Sequence, residues 1–241
     1  MELTAAVPFK DTLDLREKVI STCFYLRDKL GYFVGTWGNI SVRIEDGLLL
    51  TPSRMKYDDI KPDDLVVISW QGARIKGQRV PTSEMELHRQ LMLERPDFGA
   101  LIHSHSPYAS TVASVHRSIP VLVDDMAEVI GGEVHCSIYV SAGKHKEMAE
   151  AARKVIGKEA CAVLLGNHGV VAAGRDLDEA LVAAQFVEKA AFILIHAQPL
   201  GGAKPIPDKL WREERYRYLY KYGKPEDLES VLTTEPKVKK K

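Results

Sequence analysis

An apolar run from Phe98 to Ile102 ends in His103-Ser104-His105 and is followed at once by Ser106-Pro107. No other stretch restricts the fold so tightly. The run reads as a buried strand. Side chains two apart on a strand point to one face, so both imidazoles project together, about 7 Å apart along the backbone and within reach of a single ion. Ser106-Pro107 reads as a helix N-cap with proline at the first helical position. The histidine pair therefore belongs at a strand-to-helix corner, where α/β proteins place their sites.

The surrounding pattern supplies the layers. Residues 14–30 repeat apolar positions at helical spacing, with Leu15, Val19, Cys23 and Leu26 on one face and Gly31 as a stop. Short strands over 40–44, 48–51 and 65–69 are separated by turn residues and predict an antiparallel meander. A helix over 83–94 opens on Ser83-Glu-Met-Glu86, a capping-box pattern. Beyond it the chain alternates. Strand 100–105 precedes helix 107–115, a short strand falls at 121–123, and 137–140 leads to helix 144–156. Strands 162–165 and 170–173 flank the turn 166–169. A strongly apolar helix over 177–197 reads as mostly buried, and a last helix over 207–222 carries Trp211, Tyr216, Tyr218, Tyr220 and Tyr222. The fold class expected is α/β: one three-layer α/β/α domain over residues 1–225 around a central mixed, largely antiparallel sheet, with a flexible basic tail over 226–241.

Composition excludes several partners. Thirty-three basic residues balance thirty-three acidic ones among 241. A net charge of zero gives no reason to expect nucleic acid or a membrane surface. Cys23, Cys136 and Cys161 are odd in number and scattered, so a reducing compartment is the default. The start lacks a basic segment followed by an apolar one, as a signal peptide needs, and no apolar run reaches the ~20 residues of a membrane span. A cytoplasmic protein is expected.

A third histidine, His168, lies in the turn Gly166-Asn167-His168-Gly169. Its glycines would let the backbone double back and present the imidazole. Three histidines on strand ends fit a catalytic zinc arrangement with one position open for water or substrate. Glu84, in Pro81-Thr82-Ser83-Glu84, stands at the start of its helix, where the helix dipole favours a carboxylate. It can serve as an additional ligand or as a general acid/base. The plainer alternative, core histidines satisfied by backbone, fits less well because His103 and His105 face one way beside a helix start. The remaining histidines, His88 among them, read as surface or packing residues.

Five motifs occur in order: Gly35-Thr-Trp-Gly-Asn-Ile-Ser41, Thr51-Pro-Ser53, Pro81-Thr-Ser-Glu84, His103-Ser-His105 and Asn167-His-Gly169. Together they resemble the class II aldolase/adducin family over roughly residues 12–222. The resemblance implies an α/β/α fold, a homotetramer with active sites at subunit interfaces, and His103, His105 and His168 as ligands of Zn²⁺, with Mn²⁺ or Co²⁺ as substitutes. It makes Glu84 the acid/base residue. It gives the phosphate of a sugar-phosphate substrate to Thr36, Gly38, Asn39, Ser53, Thr82 and Ser83, small donors beside a helix start that form an anion cradle. The implied reaction is cleavage of a keto-sugar phosphate to dihydroxyacetone phosphate and an aldehyde through a metal-stabilised enediolate.

The chain departs from the family at two places, Arg54 and a family tyrosine that has no clear match, Asp124-Asp125 standing near it. Arg54 replaces the glycine that usually follows Thr-Pro-Ser, exchanging a close backbone approach for a charged fork suited to phosphate or carboxylate. Glu128 falls near a second acid/base position found in a related epimerase. These features favour an alternative reading, an epimerase, dehydratase or decarboxylase on the same metal site. A third reading is a non-enzymatic adducin-like module.

Overall fold

The computed structural model describes residues 4–224, so the tail expected over 226–241 lies outside the described residues. The first strands, β1 (Asn39–Ile44), β2 (Gly47–Leu50), β3 (Val66–Ser69) and β4 (Arg74–Lys76), form the meander. On its other edge β1 pairs with β5 (Ala100–Ser104). That strand pairs with β7 (Gly169–Gly174), and β6 (Ala162–Leu165) ends the row. Among the described residues the order is β4-β3-β2-β1-β5-β7-β6, and every named pair is antiparallel. The mixed character is confined to isolated parallel bridges, Phe9 with Ile44 and Cys136 with Leu164.

Helices cover both faces, as expected of an α/β/α domain. The helices are α1 (Leu13–Asp28), α2 (Met85–Glu94), α3 (Pro107–Ser114), α4 (Asp124–Val129), α5 (His145–Ile156), α6 (Leu177–His196) and α7 (Asp208–Tyr220). One face packs Ile40, Val42 and Ile102 against α1, and Val170 and Ala172 against α3 and α6. The other packs Leu48, Leu50, Leu101, Val163 and Val171 against α2 and α5. Trp211 of α7 packs on Val121 and Ala127 beside α4.

Several boundaries differ from expectation for physical reasons. The segments 121–123 and 137–140 are not strands; each runs beside a single bridge, Ile119 with Val134 and Cys136 with Leu164. The capping box at Ser83 does not form. Helix α2 starts at Met85, and Glu86 turns to Arg89 at 2.7 Å and Gln90 at 2.8 Å. Proline takes the first position of α3, but Ser106 Oγ makes no cap and is buried without a hydrogen-bond partner among the described residues. The buried Glu188 of α6 performs that service, accepting from the Tyr108 and Ala109 amides at 2.8 Å each.

Candidate metal centre and active site

Strand β1 alternates Ile40, Val42 and Ile44 with Asn39, Ser41 and Arg43. The antiparallel register sets Asn39 beside His103 and Ser41 beside Leu101. Asn39, Ser41 and His103 therefore share the α2 face of the sheet, and all three are buried. Such a polar patch is tolerated only if its groups are hydrogen-bonded. Helix α2 supplies the partners, with Glu84 at its N-cap and His88 one turn later.

Glu84 bridges two of the histidines. Its Oε2 lies 3.2 Å from His103 Nε2 and its Oε1 lies 3.0 Å from His168 Nε2. Asn39 Nδ2 donates to Oε2 at 2.7 Å. His103 Nδ1 lies 3.0 Å from Val170 O. A carbonyl can only accept, so Nδ1 carries the proton and Nε2 offers its lone pair towards His105 Nε2, 3.0 Å away. Two ring nitrogens so close need a shared proton or a cation between them. The three ring centroids stand 4.9, 5.0 and 5.0 Å apart, with a ligand atom of each residue within 4.8 Å of the others. An imidazole donor set with one tautomer fixed by a backbone carbonyl suits a divalent transition metal.

Burial sets the charges. It pushes His105 down to about 4, helped by His103 and His168, and pushes His103 below its ordinary value. Burial thus favours the neutral form of both rings, the form that ligation requires. For Glu84 burial favours the neutral acid, but His103, His168 and the Asn39 amide outweigh it and hold the carboxyl well below the usual carboxylate range.

The β6–β7 turn presents His168 by a route the sequence did not reveal. Its left-handed residue is Asn167, at φ 54°, and neither glycine. Gly169 is required by crowding instead. A Cβ there would lie 2.5 Å from Ser104 O and 2.9 Å from His105 Cδ2.

Glu84, His105 and His168 open onto a cleft of about 840 Å³. Thr36, Gly38, Asn39, Ser53, Arg54, Thr82 and Ser83 line it, joined by Trp37 and Tyr139, which the sequence reading did not single out. The Asn39 amide is already engaged at both ends, by Glu84 and by His88. Arg54 is exposed and sits in the left-handed region at φ 54°, where a glycine would be unstrained. Glu128 does not reach this cleft. It lies on α4, and its carboxylate pairs with Arg217 of α7 at 2.7 Å. His88, read as a packing residue, is fully buried and bonded into the Glu84 network. Its place four residues after Glu84, hence on the same helix face, was the available signal.

The model of the class II aldolase and adducin N-terminal domain matches residues 17–195. The chain belongs to this family. A 5-methylthioribulose-1-phosphate/5-deoxyribulose-1-phosphate aldolase of Rhodospirillum rubrum is 38% identical, over 67% of this chain and 72% of that protein. An L-fuculose phosphate aldolase of Haemophilus influenzae is 35% identical, over 87% of this chain and 95% of its own length. A solved L-fuculose 1-phosphate aldolase superposes with a TM-score of 0.81 at 30% identity, covering 87% of this chain and 98% of that one. This class II aldolase family member thus shares the family fold and has sugar-phosphate aldolases as relatives.

Proposed function

We propose that the chain is a zinc-dependent aldolase that cleaves a small ketose 1-phosphate to dihydroxyacetone phosphate and an aldehyde. The observation that carries the reading is Glu84, a buried carboxylate held 3.2 and 3.0 Å from two of three clustered histidines at the edge of a cleft lined with small donors. His103, His105 and His168 would hold the ion; their donor set also accepts Mn²⁺ or Co²⁺. A divalent ion there supplies electrophilic stabilisation for the negative charge left by carbon–carbon cleavage.

The chain's own groups do the rest. Glu84 moves the proton to and from the reacting carbon. Thr36, Gly38, Ser53, Thr82 and Ser83 present hydroxyl and backbone donors to the phosphate, Asn39 adds its backbone N–H, and Arg54 adds a permanent charge. An epimerase, dehydratase or decarboxylase reading drew on Arg54, which lines the cleft, and on Glu128, which within the chain pairs with Arg217 away from it. A non-enzymatic module has no use for three histidines clustered against a buried carboxylate. We assign the enzyme to the cytoplasm as a homotetramer with sites at subunit interfaces. No helix among the described residues is long and apolar enough to cross a membrane.

The test is direct. Zinc-loaded protein is incubated with 5-deoxyribulose 1-phosphate, 5-methylthioribulose 1-phosphate and L-fuculose 1-phosphate, and dihydroxyacetone phosphate is followed by coupled reduction. Its release from at least one substrate is expected. Absence of release, with any substrate converted to an isomer or a decarboxylated product instead, would overturn the aldolase reading.

A further inference from the structure

We propose that His88 is a positioning residue for Glu84, acting through Asn39. In this role its Nε2–H holds the Asn39 amide so that Nδ2 faces the carboxylate. The proposal rests on the reading of Glu84 as the acid/base group.

Four side chains form one line. Ser41 Oγ lies 2.6 Å from His88 Nδ1, His88 Nε2 lies 2.5 Å from Asn39 Oδ1, and Asn39 Nδ2 lies 2.7 Å from Glu84 Oε2. The direction of every bond follows from the last. An ionised carboxylate only accepts, so the amide must turn its NH₂ towards Glu84 and its oxygen towards His88. The ring must then carry its proton on Nε2, and Nδ1 must accept from the Ser41 hydroxyl. All donors point one way and strengthen one another in a dry interior.

The position argues against a packing role. His88 lies on α2 beside Leu87, Leu91 and Met92, all buried in one apolar cluster. A leucine would suit that surface better, because a buried polar group costs stability unless bonded. An imidazole there is useful because two ring nitrogens, set apart on a rigid plane, can satisfy Ser41 and Asn39 together. Without the Nε2 donor the amide is free to turn over and set its oxygen against the Glu84 carboxylate. The donor that fixes one carboxylate oxygen would then be lost.

Two variants and one measurement test this. Glutamine can place its side-chain nitrogen near the Nε2 position, whereas asparagine is shorter and reaches only towards Ser41. His88→Gln should keep kcat within about 3-fold of wild type, and His88→Asn should lower it by about 10-fold or more, as small misplacements of a catalytic group do. KM and zinc content should be equal in the two variants. In wild-type protein labelled with ¹⁵N-histidine, the His88 resonance, identified by its loss in His88→Gln, should show a neutral ring protonated at Nε2. A proton on Nδ1, or equal kcat in the Asn and Gln variants, overturns the proposal. If the wild type cleaves no ketose phosphate, the aldolase reading falls, and the tautomer measurement still decides the role of His88.

Discussion

The Asn39 amide, donating at 2.7 Å, and His168 Nε2, 3.0 Å away, favour the carboxylate form of Glu84 in its buried position. Replacing it by glutamine keeps the shape and one acceptor but removes the group that would carry the proton in the proposed reaction. Glu84→Gln should retain fold and zinc and lower kcat by about 10²-fold or more; steady-state kinetics beside elemental analysis checks this. Arg54 makes the opposite kind of residue-scale argument. A side chain forced to φ 54° carries a strain of about 1–2 kcal/mol relative to the right-handed region. If that strain serves the substrate's anionic end, Arg54→Ala should raise KM by roughly 10- to 100-fold, the scale of one charged hydrogen bond. Arg54→Gly should show the same rise in KM while melting no lower than wild type. Unchanged KM in both variants would point the guanidinium away from the cleft.

At the scale of elements, α3 depends on α6 for its cap. Glu188 accepts hydrogen bonds from two amides in the first turn of α3, next to β5, which carries His103 and is followed at once by His105. Truncating it leaves two donors unpaired, the Ala109 amide among them buried, so Glu188→Ala should lower unfolding stability by about 1–3 kcal/mol, read from denaturant melts, with a smaller loss in Glu188→Gln. The strands that carry the site were legible because they are apolar runs ended by turn residues. The same reasoning missed β4, whose three residues are all exposed, and read strands into 121–123, where apolar residues pack without a ladder, and into 137–140, where Ile138 and Tyr139 are exposed. Strand β1 misleads in an instructive way. Its alternation of Ile40, Val42 and Ile44 with Asn39, Ser41 and Arg43 implies a wet outer face, yet that face lies beneath α2. The three clustered histidines could be read from spacing, but no local pattern shows that Asn39, Ser41 and His88 meet. Only the strand register and the placement of α2 bring them together. Arg217, from a separate helix, likewise decided where Glu128 points.

For the whole molecule, buried neutral histidines tie stability to pH. His88 is pushed down to about 3 by burial, below its ordinary 6.5, so the unfolded chain takes up a proton before the folded one does. Its contribution to stability is fully present above about 6.5 and is lost as pH falls towards 3. Denaturant melts between pH 6 and 4 should show a shallower loss in His88→Gln than in wild type. The ion acts on the same scale. Zinc should raise the melting temperature in proportion to the logarithm of its concentration over Kd, chelation should reverse this, and His103→Ala should be insensitive to both. The Glu84–histidine cluster can also be viewed as polymer topology. His103 and His105 leave β5, His168 sits beyond three intervening helices, and one ion would tie these distant stretches into a closed loop, as a covalent staple does. Such a tie narrows the freedom of the unfolded chain more the longer the loop it closes. Metal supply would therefore govern how long the chain survives in its folded form as well as how fast it turns over.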